Sequence, residues 1–477
     1  MSNSLPSPSD ETPMQALLRR QKEAFRSDLN PAHAVRVDRL NRLERMIEQH
    51  AENFARQIAA DFGCRSPYEV TIAETMVVQG GLKHARGHLK RWMKTKRMPA
   101  SLRYWPGRSF VRPQPLGVVG IISPWNYPLL LALSPLVGVL AAGNCALLKP
   151  SEQTPAFSAA LTAALAEFFA PEEVGVVTGD AEVGRQFSAL PFDHLVFTGS
   201  TAVGRLVAQA AARNLTPVTL ELGGKSPVII DSSCELPGVI DRLVWGKLLN
   251  AGQTCIAPDY ALVPRARLDE FVGALRASMV RLYPGIAANP DYTSIVSERH
   301  YRRLLDLVAE ARAGGAQVIE VHPSSEPSES AQRKFAPLIL LDVDDSMRVM
   351  QEEIFGPVLP VVAYDTLEEA ISYVNRHERP LALYWFGNDR RHCEQVISQT
   401  LSGGVSINET LLHLAQDRLP FGGVGASGQG HYHGESGFRQ FSKEKPVFIQ
   451  SRISALPLLY PPFKPSLGRL LKLLSRL

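Results

Sequence analysis

The chain has 477 residues, 45% hydrophobic and 21% charged, ordinary values for a globular protein that exclude a disordered chain. Its net charge of +4 gives no case for nucleic-acid binding. The length suffices for a large buried core without metal or disulfide staples, and at roughly 150 residues per domain it predicts about three domain-sized units.

The polar, Pro/Ser-rich opening MSNSLPSPSDETP lacks the basic start and apolar core of a signal peptide and reads as a loose tail. Residues 14–60 repeat apolar positions at helical spacing (Leu40, Leu43, Ile47, Phe54, Ile58) and predict amphipathic helices. Residues 82–112 carry ten Lys/Arg and no acid, which reads as a solvated helix face and a linker. No charge occurs over 113–148, long enough to span a bilayer at about 20 residues. Pro124, Pro128 and Pro135, with Asn126 and Asn144, break that run, so it predicts a buried strand, a turn, a helix and a second strand.

Apolar runs then recur at 118–122, 146–148, 174–177, 194–197, 218–220 and 228–230. Helical patterns lie between several of them, one starting at Thr154-Pro155 as N-cap and first helical position and running to about 169, another over 202–213. Strands alternating with helices predict βαβ units and a parallel sheet. Past residue 224 the rhythm resumes, with helices expected at 238–250, 267–281 and 298–313 and strands near 259–263, 338–341 and 358–363. The segment 322–334 reads as a polar surface loop. The end, 451–477, has five Lys/Arg and no acid; Leu467, Leu470, Leu471, Leu474 and Leu477 form one stripe, the pattern of a basic amphipathic helix.

The five cysteines, Cys64, Cys145, Cys234, Cys255 and Cys393, are odd in number, far apart and form no CxxC pair. This argues against a disulfide framework or a metal site and for a reducing compartment, the cytoplasm. Cys255 closes a Gly-containing turn, Asn250-Ala-Gly-Gln-Thr-Cys, and is either an exposed nucleophile or one more inert buried thiol. Glu221 interrupts an apolar strand that runs into Gly-Gly; it is a cation's structural partner or a carboxylate kept dry to act as a base. Asn126, between two prolines, is a turn residue or an amide donor for an oxyanion. Residues 197–204 (Phe-Thr-Gly-Ser-Thr-Ala-Val-Gly) pass from strand to helix, where phosphate oxygens bind, and Lys149-Pro-Ser-Glu152 ends another strand, the ligand edge of an α/β sheet.

In order, the motifs PWNYP, KPSEQTP, FTGS, ELGGKSP, GQTC, EEIFGP and PFGG resemble those of the aldehyde dehydrogenase superfamily, over about residues 15–450. The short start is similar to the class 3 branch, and the length and extra tail to its bacterial members that oxidise coniferyl aldehyde. The resemblance implies an α/β fold with a Rossmann-like cofactor domain (1–97, 116–223 and 415–433), an α/β catalytic domain (224–414), a small β oligomerisation element (98–115 and 434–450) and a tail (451–477). It implies Cys255 as nucleophile, Glu221 as general base and Asn126 as oxyanion amide. Lys149, Ser151, Glu152, Gly199, Ser200, Gly204, Trp125, Glu353 and Phe355 would hold NAD, with NADP as a second cofactor, and Tyr127 and Phe421 would line the substrate channel. The expected reaction is NAD(P)-dependent oxidation of an apolar or aromatic aldehyde, coniferyl aldehyde or a medium- to long-chain aliphatic one, to the acid through a cysteine thiohemiacetal and thioester. The alternative is acyl transfer to CoA, disfavoured because such enzymes lack a base at the Glu221 position. No nucleic-acid partner is expected. A homodimer is, with the tail packed on it or, as the second reading, lying on an anionic membrane surface.

Overall fold

A computed structural model describes residues 11–101, 104–321, 333–454, 456–463 and 467–474. The uncharged segment folds as strand Val118–Ile122, helix Pro128–Ala142 and strand Cys145–Lys149, with Pro135 accommodated inside a helix that is buried almost all round. These strands belong to a six-stranded sheet. In spatial order it runs Val174–Val176, Cys145–Lys149, Val118–Ile122, His194–Gly199, Val218–Leu222 and Gly428–Gln429. The first five strands are parallel and the last is antiparallel. Near-continuous apolar strands fit this arrangement because helices cover both faces of such a sheet. The chain runs outward in both directions from Val118–Ile122. A crevice therefore opens at the carboxyl ends of that strand and of His194–Gly199, where α/β sheets take their ligands. Asn126, Ser200 and Gly223 follow the carboxyl ends of Val118–Ile122, His194–Gly199 and Val218–Leu222, and Lys149 ends the neighbouring strand Cys145–Lys149.

The chain leaves this sheet at Leu222 and enters a second at Pro227. Seven strands lie there in the order Gln317–Glu320, Leu338–Leu341, Val358–Tyr364, Tyr260–Pro264, Pro227–Ile230, Ala382–Phe386 and Gly404–Ile407, all parallel except the first. A third, antiparallel sheet joins Lys96–Met98, Arg108–Pro115 and Ser442–Ile449. Within 434–450 only the second part is strand; Gly434–Gln440 is a helix resting on helices Met76–Trp92 and Pro128–Ala142.

Two details depart from the expected pattern. Helix Pro155–Phe168 begins at Pro155, but Thr154 makes no side-chain cap bond. Asp61, from helix His33–Phe62, caps it instead, accepting from Ala156 N at 3.0 Å and Phe157 N at 2.9 Å, a tertiary cap that local sequence cannot reveal. In 322–334, residues 322–332 lie outside the described residues. Arg333 and Lys334 are not loop surface, since Arg333 donates to the Phe62 and Ile295 carbonyls and Lys334 to that of Asn289. The leucine stripe is helical over Leu467–Leu474, with Leu471 exposed; Leu477 lies outside the described residues. Among those residues no helix is long and apolar enough to cross a membrane.

Buried histidines make stability depend on pH. His194 bonds through Nε2 to the Thr219 hydroxyl at 2.8 Å, and burial lowers its pKa to about 4. The unfolded chain binds a proton at this site near the ordinary value of about 6.5. Between those values the unfolded state holds more protons, so stability falls as pH drops, by about 3 kcal/mol at pH 4 for this group. Thermal melts from pH 7 to 4 should show the loss, and His194→Gln should make its slope shallower. An unchanged slope excludes His194 as a cause.

Candidate active site

Helix Leu236–Leu248 ends on buried apolar residues, and the chain then makes a turn that few sequences tolerate. Asn250, Ala251 and Gly252 have φ of 53°, 51° and 75°. The left-handed region costs roughly 1–2 kcal/mol per non-glycine residue. At Gly252 a Cβ would lie 2.3 Å from the Gly356 carbonyl oxygen, so only glycine fits. Asn250 and Gln253 hold the turn. Asn250 Nδ2 donates to the carbonyls of Asn126 (2.9 Å) and Gln253 (3.1 Å). Gln253 Nε2 donates to those of Asn250 (2.9 Å) and Ser294 (3.0 Å), and its Oε1 accepts from Val296 N at 3.0 Å. Cys255 follows, half-buried at the end of this braced loop.

Asn126 is brought to the same loop by the turn after strand Val118–Ile122. Its Nδ2 donates to the Gln253 carbonyl at 3.1 Å, which occupies one of its two N–H bonds and fixes where the other points. The neighbouring Tyr127 hydroxyl pairs with the Thr254 hydroxyl at 2.7 Å, and its ring lies under the Arg65 guanidinium at 4.8 Å. Tyr127 is therefore a tie between the two loops. Trp125 packs its ring against those of His300 (5.0 Å), Phe355 (5.4 Å) and Phe62 (6.1 Å).

Two carboxyl groups share the field of the thiol. Glu221, in strand Val218–Leu222, is 2% exposed, and neither of its oxygens has a hydrogen-bond partner among the described residues. Burial alone raises its pKa well above the ordinary range. Glu353 comes from the loop after helix Arg348–Gln351. That loop is anchored by Ile354 N to Asp259 (3.1 Å) and by Lys225, which donates to Asp259 and to the Val349 and Glu352 carbonyls. A Cβ on Gly223 would lie 1.9 Å from Glu353 Oε2, so the Gly-Gly turn admits this carboxyl. Burial, then the charge of Asp259, raises Glu353 to about 8. Burial first, then Glu353 and Glu221, pushes the Cys255 thiol up as well, while the backbone N–H groups of Cys255 and Ile256 oppose the rise. The charges of Lys225 and Arg303 offset the rise at Glu353 only in part, so the free site holds a neutral thiol beside a carboxyl able to take a proton near neutral pH.

Along the first sheet's crevice, Lys149 Nζ donates to Glu152 Oε2 at 2.8 Å. Burial is the largest single influence on Glu152 and opposes its ionisation, but the bond and charge of Lys149 and the Glu152 backbone N–H together outweigh it and its pKa is lowered. Ser151 and Glu152 line a groove with Pro155, Ala159, Thr178 and Gly179. Ser200 caps helix Thr201–Ala212, accepting from Val203 N; Gly199 precedes it, and Gly204 sits against Leu222, letting the helix approach the sheet closely.

A model of the aldehyde dehydrogenase family matches residues 7–447. The chain belongs to that family. It is an oxidoreductase acting on aldehydes, 49% identical over 456 residues to a probable coniferyl aldehyde dehydrogenase of Caulobacter vibrioides, with 94% of each chain covered. It is 39% identical over 453 residues to aldehyde dehydrogenase family 3 member A2 of Pongo abelii, covering 94% of this chain and 91% of the relative. Its fold superposes with a TM-score of 0.82 on an aldehyde dehydrogenase of Mycobacterium tuberculosis complexed with NAD+, at 31% identity, covering 92% of this chain and 90% of that one.

In this aldehyde dehydrogenase Phe421 is buried among rings, stacked on His433 at 5.4 Å with Tyr432 and His413 at 6.4 and 6.1 Å. Tyr432 lies in the field of Glu221 and Cys255. Sequence reasoning did not single out Tyr432, although it stands eleven residues past Phe421 in the same return segment. It also missed Lys247, whose buried Nζ has no hydrogen-bond partner among the described residues and whose pKa burial lowers to about 8. The helical pattern of 238–250 carried a signal for it, a lysine on the buried side of an apolar helix.

Proposed function

We propose that this enzyme oxidises an apolar or aromatic aldehyde, coniferyl aldehyde or a medium- to long-chain aliphatic one, to the carboxylic acid through a covalent intermediate on Cys255. The observation that carries this reading is the placement of Glu221, a carboxyl with no hydrogen-bond partner among the described residues, in the field of the thiol. The Cys255 sulfur, its proton released to water, attacks the aldehyde carbon, and the carbonyl electrons move to oxygen. That oxyanion accepts from the second N–H of Asn126 and from the Cys255 backbone N–H; one such donor typically contributes about a hundredfold to a thousandfold in rate. Loss of hydride from the same carbon leaves a thioester. Glu221 then removes a proton from water, the hydroxide adds to the thioester carbon, and the thiolate departs with the acid formed.

NAD fits the residues of the crevice. Lys149 and Glu152 would hold the adenosine ribose beside Ser151, Gly199 and Ser200 at the helix start would face the pyrophosphate, and the unpartnered buried Glu353 Oε1 is an acceptor for the nicotinamide ribose, with Phe355 and Trp125 beside it. When bound, NAD supplies the hydride acceptor. The ionised Glu152 disfavours a 2′-phosphate, so NAD is preferred and NADP is the weaker cofactor. An aldehyde assay with NAD, with and without CoA, tests the whole reading: free acid at the same rate in both is expected, and acyl-CoA with no acid contradicts it. The free cysteines support a cytoplasmic enzyme.

The domain roles follow: the six-stranded sheet carries cofactor, the seven-stranded sheet the nucleophile, and the three-stranded sheet joins two copies. Tyr104, Trp105, Phe448 and Ile449 are exposed on and beside that third sheet, a row of large apolar side chains that a second copy would cover. Light scattering is expected to give a homodimer, and monomer alone or tetramer alone contradicts it. The tail helix is assigned to that dimer. Truncation after residue 455 should lower dimer stability; unchanged stability together with lost liposome binding assigns the tail to an anionic membrane surface instead.

A further inference from the structure

We infer that Arg65 is a positioning residue for the oxyanion amide, acting through the main-chain carbonyl of Asn126; the inference rests on the role given to Asn126 above. Arg65 follows helix His33–Phe62 and its side chain is completely buried. Its Nη1 donates to the Asn126 carbonyl at 2.9 Å, the same oxygen that accepts from Asn250 Nδ2 at 2.9 Å. Two donors from separate parts of the chain thus fix one peptide plane, and that plane sets the direction of the Asn126 side chain.

The guanidinium is itself held at both faces, at Nε and at Nη1, while its buried Nη2 has no hydrogen-bond partner among the described residues. Its faces meet the rings of Phe62 at 5.0 Å and Tyr127 at 4.8 Å. Nε donates to Glu69 at 3.2 Å, and Nη1 lies 3.1 Å from Glu74 Oε1. The other oxygen of Glu74 accepts from Leu129 N at 2.8 Å and Leu130 N at 3.1 Å, the first turn of helix Pro128–Ala142. Residues 126–130 are therefore gripped at a carbonyl, at a ring and at two N–H groups by one charge cluster. Pro124 and Pro128 flank Asn126 and offer no N–H of their own, so outside anchors have to do this work. A buried charge cluster of this kind adds little net stability over apolar packing. Its geometric effect is specific: a planar fork reaches a carboxylate and a carbonyl together, which an ammonium does not.

The test is a double-mutant cycle read by the pre-steady-state NADH burst with an aromatic aldehyde and NAD, on the full-length protein. Arg65→Met should slow the burst by about a hundredfold, the cost of misplacing a reacting group by roughly 1 Å. NAD affinity should stay within about twofold, and so should the rate at which iodoacetamide alkylates Cys255, because alkylation forms no oxyanion. Asn126→Ala alone should slow the burst by about a hundredfold to a thousandfold. Adding Arg65→Met to it should cost no more than about threefold further, since residues acting as a unit are not additive. Full multiplication of the two effects overturns the inference and leaves the oxyanion role of Asn126 standing. A wild-type burst in Asn126→Ala overturns that role itself. If Arg65→Met does not fold, Arg65→Lys, which keeps the charge and loses the fork, enters the same cycle with the same expected coupling, and a wild-type burst in Arg65→Lys overturns the inference.

Discussion

Replacing Cys255 by alanine is expected to abolish aldehyde oxidation, by at least about 10⁴-fold in kcat, while NAD binds with unchanged affinity. The sulfur is the only atom removed, and in the proposed mechanism it acts by forming and breaking a bond. The loop around it is braced by Asn250 and Gln253, whose bonds do not involve the thiol, so the cofactor crevice at Lys149, Glu152 and Ser200 should keep its shape. Calorimetric titration of the variant with NAD reads the second half of the prediction. Turnover within about tenfold of wild type would remove Cys255 from the chemistry.

Glu221→Gln should separate the two halves of the reaction. Glutamine has the same shape but cannot take a proton from water, so hydrolysis of the thioester should stall. The expected trace is one equivalent of NADH released quickly, then a steady rate lower by about 10²–10⁴-fold, the usual contribution of a positioned base. The pH dependence has a defined sign. Burial holds Glu221 well above the ordinary carboxyl range, so the wild-type steady rate should climb with pH as the carboxylate forms, and the residual rate of the variant should lack that rise. A full burst followed by wild-type turnover excludes Glu221 as the base for water. Absence of both burst and turnover assigns it the thiol proton alone.

What the sequence makes legible follows from how local each signal is. The strands near 118, 146, 194 and 218 are visible because residues buried on both faces of a parallel sheet must be apolar throughout. Cys255, Asn126 and Glu221 stand out because each breaks its surroundings: a thiol after a glycine turn, an amide between prolines, an acid inside a strand. The supports of those residues are not legible. Arg65 lies 61 positions before Asn126, past the helical pattern of 14–60, and nothing in that spacing says that it faces inward. Asp61 caps a helix 95 residues later, where Thr154 is the local candidate and its hydroxyl stays unpartnered. Tyr127 reads as a channel wall because it adjoins Asn126, and only the fold reveals its hydroxyl bonded to Thr254.

A covalent intermediate on Cys255 is read by mass spectrometry of Glu221→Gln, intact and after digestion. The variant is mixed with NAD and an aromatic aldehyde, quenched after the burst and digested. One acyl group per chain is expected, on the peptide containing Cys255, formed only when NAD is present. NADH produced with no acyl adduct, or with the adduct on a peptide lacking Cys255, would contradict it.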